Sequence, residues 1–505
     1  MKYVLDAAMS KEVDRYTIEN AGVPSAVLME RAALAVAEKT AGLAVRFGSS
    51  VKVCAVCGCG NNGADGIAAA RILTWQGLRV DIIIVGNRDK ASEEFLLQEK
   101  IAVNSHMTFN DISEIPAYNI IIDAVFGTGL SREVTGEYCD VINRINASGA
   151  LVVSVDIPSG VDSTTGAVLG NAVSANETVT FGYNKQGLMF YPGREIAGNI
   201  TVADIGFCPE AIRKLNPAMY FTRDDIKKIP VRLPYSNKGT YGRTLVVAGS
   251  PGMSGAAYMA AAAAYRSGAG LVEIFTEKSN CQILGTLLPE AIVTGYAGED
   301  AAELLKKSME RADFIIIGPG LSQSSQAECL VAEVMKRAEV PIIADADALN
   351  IMSKSDSLLK NHKSDVIITP HVGEMARLSG FDINHIKGQL METAVSVAGE
   401  YNVICVLKDA VTVVAEPGGR QRRYINNSGC AAMSKGGMGD VLTGVIAGML
   451  SVGIEPFSAA AMGVYVHGLA GQEAASGHNS HGVTAADVIE RLPIVTETEQ
   501  WCEKR

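Results

Sequence analysis

Tryptophan occurs only twice and aromatic residues make up 6% of the 505-residue chain, so any core must be filled by aliphatic side chains. Charged residues are also sparse at 20%, and basic ones are the minority: 44 Lys and Arg against 55 Asp and Glu leave a formal charge of -11. Neither half carries a basic excess, which argues against nucleic acid as a partner. No apolar run approaches the roughly 20 residues of a membrane span. The longest, such as Ala256 to Tyr265, fall far short, and no membrane partner is expected. A Gly-x4-Gly-Lys-Ser/Thr phosphate loop is missing as well. Cysteines are present, from Cys54 to Cys502, but no secretory segment precedes them, so free thiols and a cytoplasmic location are expected. Cys54, Cys57 and Cys59 have a Cys-x-x-Cys spacing. Without a second Cys or His cluster they do not assemble a zinc site.

What the chain does have is aliphatic residues and turns: 48% hydrophobic residues and 51 glycines, the balance of an α/β enzyme. Residues 10–46 read as two helices, the first capped by Ser10 and the second by Ser25. From residue 51 short apolar strands alternate with helical segments, at Val51 to Val56, Arg79 to Val85, Asn119 to Ala124 and Leu151 to Asp156. Runs apolar on both faces predict buried parallel strands and one doubly wound sheet. The rhythm breaks at Phe207 to Lys238 and resumes at Arg243, Leu271, Phe314, Pro341, Val366 and Val403. Two α/β domains follow, residues 1–214 and 220–505.

In the first, Cys57-Gly-Cys-Gly-Asn61-Asn62-Gly63-Ala64-Asp65-Gly66 lies between a strand and the helix expected from Ile67. Its glycines suit close approach of backbone N–H groups to an anion, and its Asn and Asp side chains exceed what a turn requires. Asp123 to Leu130 and Asp156 to Asp162 follow two further strands, so Asn62, Asp123, Asp156 and Ser159 are expected to converge beyond the carboxyl ends. Hard oxygen donors of this kind suit an alkali or alkaline-earth cation. Lys185 is a second acid-base candidate beside Asp156, with a solvated turn lysine as the plainer reading.

In the second, Lys435-Gly-Gly-Met-Gly439-Asp440 precedes the helical run from Val441. A glycine turn at a helix N-terminus forms an anion hole, and Asp440 there is placed to take a hydroxyl proton or simply to cap the helix. Gly249 to Ala256, Gly318 to Leu321, Thr369 to Glu374 and Leu407 to Ala410 each follow a strand. Glu374 suits a magnesium ion held through water.

The first three turn motifs resemble those of the NAD(P)H-hydrate epimerases over about residues 1–213. The second half looks like the ribokinase-like ADP-dependent NAD(P)H-hydrate dehydratases, through Asn237 to Arg243, Gly318 to Leu321, Asp345 to Asn350, Thr369 to Glu374 and Gly436 to Thr443. The resemblance implies a Rossmann-like three-layer sandwich joined to a ribokinase-like one, as in the bifunctional repair enzymes. It implies substrate contacts at Asn61, Asn62, Gly63, Ala64, Asp65, Gly127, Thr128, Gly129, Leu130, Ser131, Arg132, Glu133 and Asp156. Potassium is implied at Asn62, Asp123 and Ser159, and the second substrate site at Ala256, Gly320, His371 and Asp440. ADP or ATP is implied at Lys408, Asp409, Ala410, Val411, Thr412 and Gly439, with Mg2+. Asp156 and Asp440 are the implied catalytic residues and hydrates of NADH or NADPH the substrates, in a homo-oligomer. Ala64 and Asp409 depart from the family's glycines, so the first must avoid positive φ and the second must turn away from the nucleotide or reach a hydroxyl. The alternative is a ribokinase-like small-molecule kinase behind a non-catalytic N-terminal binding module.

Overall fold

The structure, a computed structural model, describes residues 1–477 and 481–497. Cys502 lies outside them. The chain folds into two compact units, Tyr3–Ala218 and Met219–Arg505, the latter together with Met1–Lys2.

The first unit is built on β1 (Lys52–Gly58), β2 (Arg79–Val85), β3 (Thr108–Phe109), β4 (Ile120–Ala124), β5 (Leu151–Val155), β6 (Glu177–Phe181) and β7 (Asn199–Ala203). They form a seven-stranded sheet in the order β3-β2-β1-β4-β5-β6-β7, with every pairing parallel. Side chains alternate between two cores. Val53, Ala55 and Cys57 pack under helices Ser25–Ala44 and Asn61–Trp75, while Cys54 and Val56 face Val141, Ile142 and Ile145 of helix Glu137–Ala147. The cysteines therefore point to opposite faces, and no cluster of three metal-binding His, Cys, Asp or Glu side chains occurs among the described residues. The order reverses between β1 and β4, and the ends of these strands open the crevice where doubly wound sheets bind ligands.

Neither of the two serine caps expected near the N-terminus forms. The first helix is Ala7–Arg15, capped by Asp6, which accepts from the Met9 N–H at 2.7 Å. Ser10 instead donates to the Asp6 carbonyl. Ser25 opens the next helix but donates to Glu94 at 2.8 Å and caps nothing.

The second unit contains β8 (Ala218–Tyr220), β9 (Arg243–Val247), β10 (Leu271–Glu277), β11 (Ile292–Tyr296), β12 (Phe314–Ile317), β13 (Ile342–Ala344), β14 (Val366–Ile368), β15 (Ile404–Leu407), β16 (Val413–Ala415) and β17 (Arg423–Ile425). Its strand order is β11-β10-β9-β12-β13-β14-β15-β16-β17-β8. The run from β11 to β15 is parallel, and β15-β16-β17 is antiparallel. Helices Ser254–Ser267 and Met438–Ser451 cover one face at very short range. A Cβ on Gly444 would come within 2.2 Å of the Ala260 carbonyl, and one on Gly448 within 2.4 Å of the Ser267 Cβ, so both positions require glycine. No helix among the described residues is long and apolar enough to cross a membrane.

Candidate active sites

In the first unit a cavity of about 1050 Å³ opens at the strand ends. Its walls include Asn61, Asn62, Asp65, Gly127, Thr128, Gly129, Leu130, Ser131, Arg132 and Asp156. The helix after β1 begins at Asn61, several residues before the expected start, so the whole Asn-Asn-Gly-Ala-Asp segment is its first turns. Ala64 is thereby helical and escapes the positive φ that its methyl would resist; it and Gly63 are buried behind the cavity wall. The glycines act by size. A Cβ on Gly63 would lie 1.7 Å from the Gly58 carbonyl and one on Gly66 2.4 Å from the Ala124 Cβ, which is how the helix seats so closely on β1 and β4. Gly63→Ala is accordingly expected to cost about 3 kcal/mol through overpacking, read as a lowered melting temperature and loss of epimerisation.

Asp123 and Ser159 sit beneath this surface, each fully buried. Register places Ser154 directly across from Asp123. The carboxylate accepts from Ser154 Oγ at 2.8 Å, Ser159 N–H at 2.9 Å and Ser159 Oγ at 2.6 Å. Ser159 Oγ in turn accepts from the Phe126 N–H, tying together the loops after β4 and β5. Burial raises the Asp123 carboxyl and the serine hydrogen bonds hold it down. Asn62 packs against Gly127, and its Nδ2 is buried without a partner.

Asp156 is held in the left-handed region at φ +64, a conformation that costs a non-glycine residue about 1 kcal/mol or more. Its Oδ1 accepts from Lys185 Nζ at 2.9 Å and from Thr180 Oγ1 at 2.9 Å, leaving Oδ2 for the cavity. Lys185 is not a solvated turn residue. It is buried, with Nζ donating also to Thr180 Oγ1 and to the Phe181 and Tyr183 carbonyls. Glu133 is exposed and does not line the cavity.

The second unit gathers its groups around Gly439. Lys408 Nζ lies 2.8 Å from Asp345 Oδ1, and a Cβ on Gly439 would stand 3.3 Å from that Nζ and 3.4 Å from Asp345 Oδ2. The helix here is Met438–Ser451 and its N-cap is Gly437, at φ +88. Asp440 is thus inside the first turn and not the cap, and its carboxylate has no hydrogen-bond partner among the described residues. Burial, with the charges of Asp345 and Asp347 opposed by Lys408, pushes it up to about 6.

His371 caps helix Val372–Ser379: its Nδ1 accepts from the Gly373 N–H at 2.9 Å, and Glu374 Oε2 accepts from the His371 N–H at 2.9 Å. Burial lifts the Glu374 carboxyl to about 7. His371 and Lys408 are joined by a parallel bridge. Ala256 meets Gly320, whose added Cβ would stand 2.9 Å from the Ala256 Cβ. Asp409 and Ala410 are exposed, Val411 is buried and Thr412 half-buried, so the departure at Asp409 costs nothing in packing. A groove of about 660 Å³ beside Tyr265 and Met449 shares no residue with this cluster.

Two family models match, one described as NAD(P)H-hydrate dehydratase over residues 244–494 and one as YjeF-related protein N-terminus over residues 25–187. A bifunctional NAD(P)H-hydrate repair enzyme of Thermofilum pendens is 36% identical over 499 residues, covering 96% of this chain and 94% of its own. The chain belongs to the bifunctional NAD(P)H-hydrate repair enzymes. The one from Moorella thermoacetica is also 36% identical, covering 98% of this chain and 96% of its own. Among solved structures, the ADP/ATP-dependent NAD(P)H-hydrate dehydratase of Bacillus subtilis, co-crystallized with ATP/Mg2+, is 32% identical, covers 57% of this chain and 99% of its own, and has a TM-score of 0.49.

Such a repair enzyme joins an epimerase to an ADP- or ATP-dependent dehydratase, and membership sets aside the kinase with a binding module. The repair-enzyme cavity also brings in groups that no motif marked, Lys11 and Asp14 from the first helix and Glu94 from the helix after β2, while Tyr138 lines it tilted against Phe126 at 4.8 Å.

Proposed function

We propose that residues 1–214 epimerise the R and S hydrates of NADH and NADPH, and that residues 220–505 dehydrate the S form with ADP or ATP. The observation that carries this reading is the unpartnered carboxylate of Asp440 in the first turn of a helix whose Gly439 lies against Lys408. Asp440 takes the proton of the C6 hydroxyl as its oxygen attacks the terminal phosphorus of the nucleotide. Backbone N–H groups of the Gly437–Gly439 turn and the Lys408 ammonium hold the charge of the transferring phosphoryl group. AMP or ADP leaves. The C6–O bond then breaks with its electron pair on phosphate, a far better leaving group than hydroxide, and loss of a C5 proton restores the dihydronicotinamide. The nucleotide lies along Lys408 to Thr412, and the hydrate beside Ala256, Gly320 and His371.

Glu374 suits Mg2+ held through water, because a buried carboxyl raised to about 7 gains most from a cation. Magnesium, when bound, neutralises phosphate charge. Potassium suits Asn62, Asp123 and Ser159 because their side-chain oxygens are hard donors. Exchange of potassium for tetramethylammonium is expected to slow epimerisation several-fold without affecting S dehydration, measured on separated isomers. A cytoplasmic homo-oligomer completes the reading.

The deciding experiment supplies S hydrate with ADP or ATP and follows dihydronicotinamide absorbance. Absorbance returns if the chain is a dehydratase; accumulation of a stable phosphorylated alcohol would sink the proposal.

A further inference from the structure

Five carboxylates line the epimerase cavity, and apart from Glu137 they are Asp14, Asp65, Glu94 and Asp156, which act on one another's charge in the cavity that also holds the buried ammonium of Lys185. Phosphate is repelled from such a place, whereas a neutral ring that becomes cationic when it loses hydroxide is stabilised there. The substrate's phosphates are left the rim, where Lys90 and Arg132 stand. The carboxylates are not equivalent. Asp156 is anchored by Lys185 at 2.9 Å, and Glu94 accepts from Ser25 Oγ at 2.8 Å. The side chains of Asp14, from helix Ala7–Arg15, and of Asp65 have neither hydrogen bond nor ion pair among the described residues, and of these two Asp65 is the more deeply enclosed, which leaves Asp14 the more open to the cavity.

Resting on the epimerase reading, we propose that Asp14 is the catalytic acid of epimerisation, delivering a proton to the departing C6 hydroxyl while Asp156 receives the proton of the returning water. The C6–O bond breaks with both electrons on oxygen, which takes the Asp14 proton and leaves as water. The N1 lone pair forms N1=C6, and the positive ring faces the carboxylates. Water adds to the opposite face of C6, forming the new C–O bond and passing a proton to Asp156 Oδ2. Proton exchange through cavity water resets the two carboxyls, so no other reactant is consumed.

The electrostatics support this division of roles. Burial raises the Asp14 carboxyl, the neighbouring Asp156 and Glu94 add to the rise, and Lys185 opposes it. Asp65, on helix Asn61–Trp75, is itself pushed well up by burial and by the charges of Asp156, Asp14 and Glu94, and Lys11 shares the helix of Asp14. An acid must be protonated to act, so kcat/KM for epimerisation falls as pH rises through the Asp14 titration.

The test uses the full chain and pure R hydrate, with isomers separated by chromatography. If the unmodified chain produces no S form, the epimerase reading itself fails. Given that it does, Asp14→Asn is expected to lower kcat about 10²-fold or more with KM within about two-fold. S dehydration is unchanged and the alkaline fall in kcat/KM disappears. Retention of activity within about three-fold, persistence of the alkaline limb, or its loss in Asp65→Asn instead, overturns the proposal. Asp14→Glu keeps a carboxyl and is expected to restore part of the rate with a displaced limb. Should Asp14→Asn fail to fold, an unmoved limb in Asp14→Glu overturns the assignment equally.

Discussion

Asp440→Asn is expected to abolish nucleotide-driven recovery of absorbance from both isomers, lowering kcat about 10³-fold or more, and to make the protein more stable. The two effects share one cause. Asp440 is a half-buried carboxylate with no hydrogen-bond partner among the described residues, and like charge at Asp345 adds to its cost. Its folded carboxyl titrates near 6 against an ordinary value of 3.8, so it binds its proton more tightly in the folded state. A raised carboxyl penalises the native state above that range: stability falls as pH rises from about 4 to about 6, and the full cost persists at neutral pH. A rise of that size corresponds to about 3 kcal/mol, and partial solvent screening brings this to about 1–3 kcal/mol. The amide is isosteric and neutral at every pH, so its melting temperature should exceed that of the parent chain at pH 7 and lose most of its dependence between pH 4 and 6. The parent's dehydration rate should rise with pH through about 6 as the base ionises. A variant that loses activity and stability together would mean that Asp440 is structural.

Much of the fold is legible because parallel strands buried on both faces are written as uninterrupted aliphatic runs. β2 and β12 begin and end where the apolar pattern does, at Arg79–Val85 and Phe314–Ile317. The antiparallel strands β16 and β17 are only three residues each, too short to carry a period, and sequence reasoning misses them. The site shows the same division. Glycine-rich segments ahead of helices are what draw attention to Asn61 to Asp65 and to Gly439. What they do not reveal is why glycine is needed: at Gly63 it is a helix pressed onto β1, and at Gly439 a lysine and a carboxylate lying against the backbone. Both helices start earlier than their sequences suggest, because glycine, a poor helix former, fills first turns that packing enforces. Lys185 is illegible for another reason. A turn sequence does not disclose that Thr180, Phe181 and Tyr183 supply acceptors to its ammonium, so burial looks prohibitive.

That buried lysine makes the second large effect interpretable. Asp156→Asn is expected to slow R-to-S conversion about 10²–10⁴-fold while leaving dehydration of S hydrate untouched, so that a racemic mixture recovers only its S share. Asparagine is the informative replacement because it tolerates φ +64 and keeps an Oδ1 able to accept from Lys185 and Thr180, so the loop should hold its shape. What it lacks is the charge on Oδ2 that receives a proton. Lys185→Met separates chemistry from architecture: it strips the carboxylate of its counter-ion and is expected to cost about 3–5 kcal/mol by breaking a buried pair, lowering the melting temperature along with epimerisation. If Asp156→Asn instead melted like Lys185→Met, the pair would be holding the loop after β5 in place, and the proton-accepting role would pass to another carboxylate of the cavity.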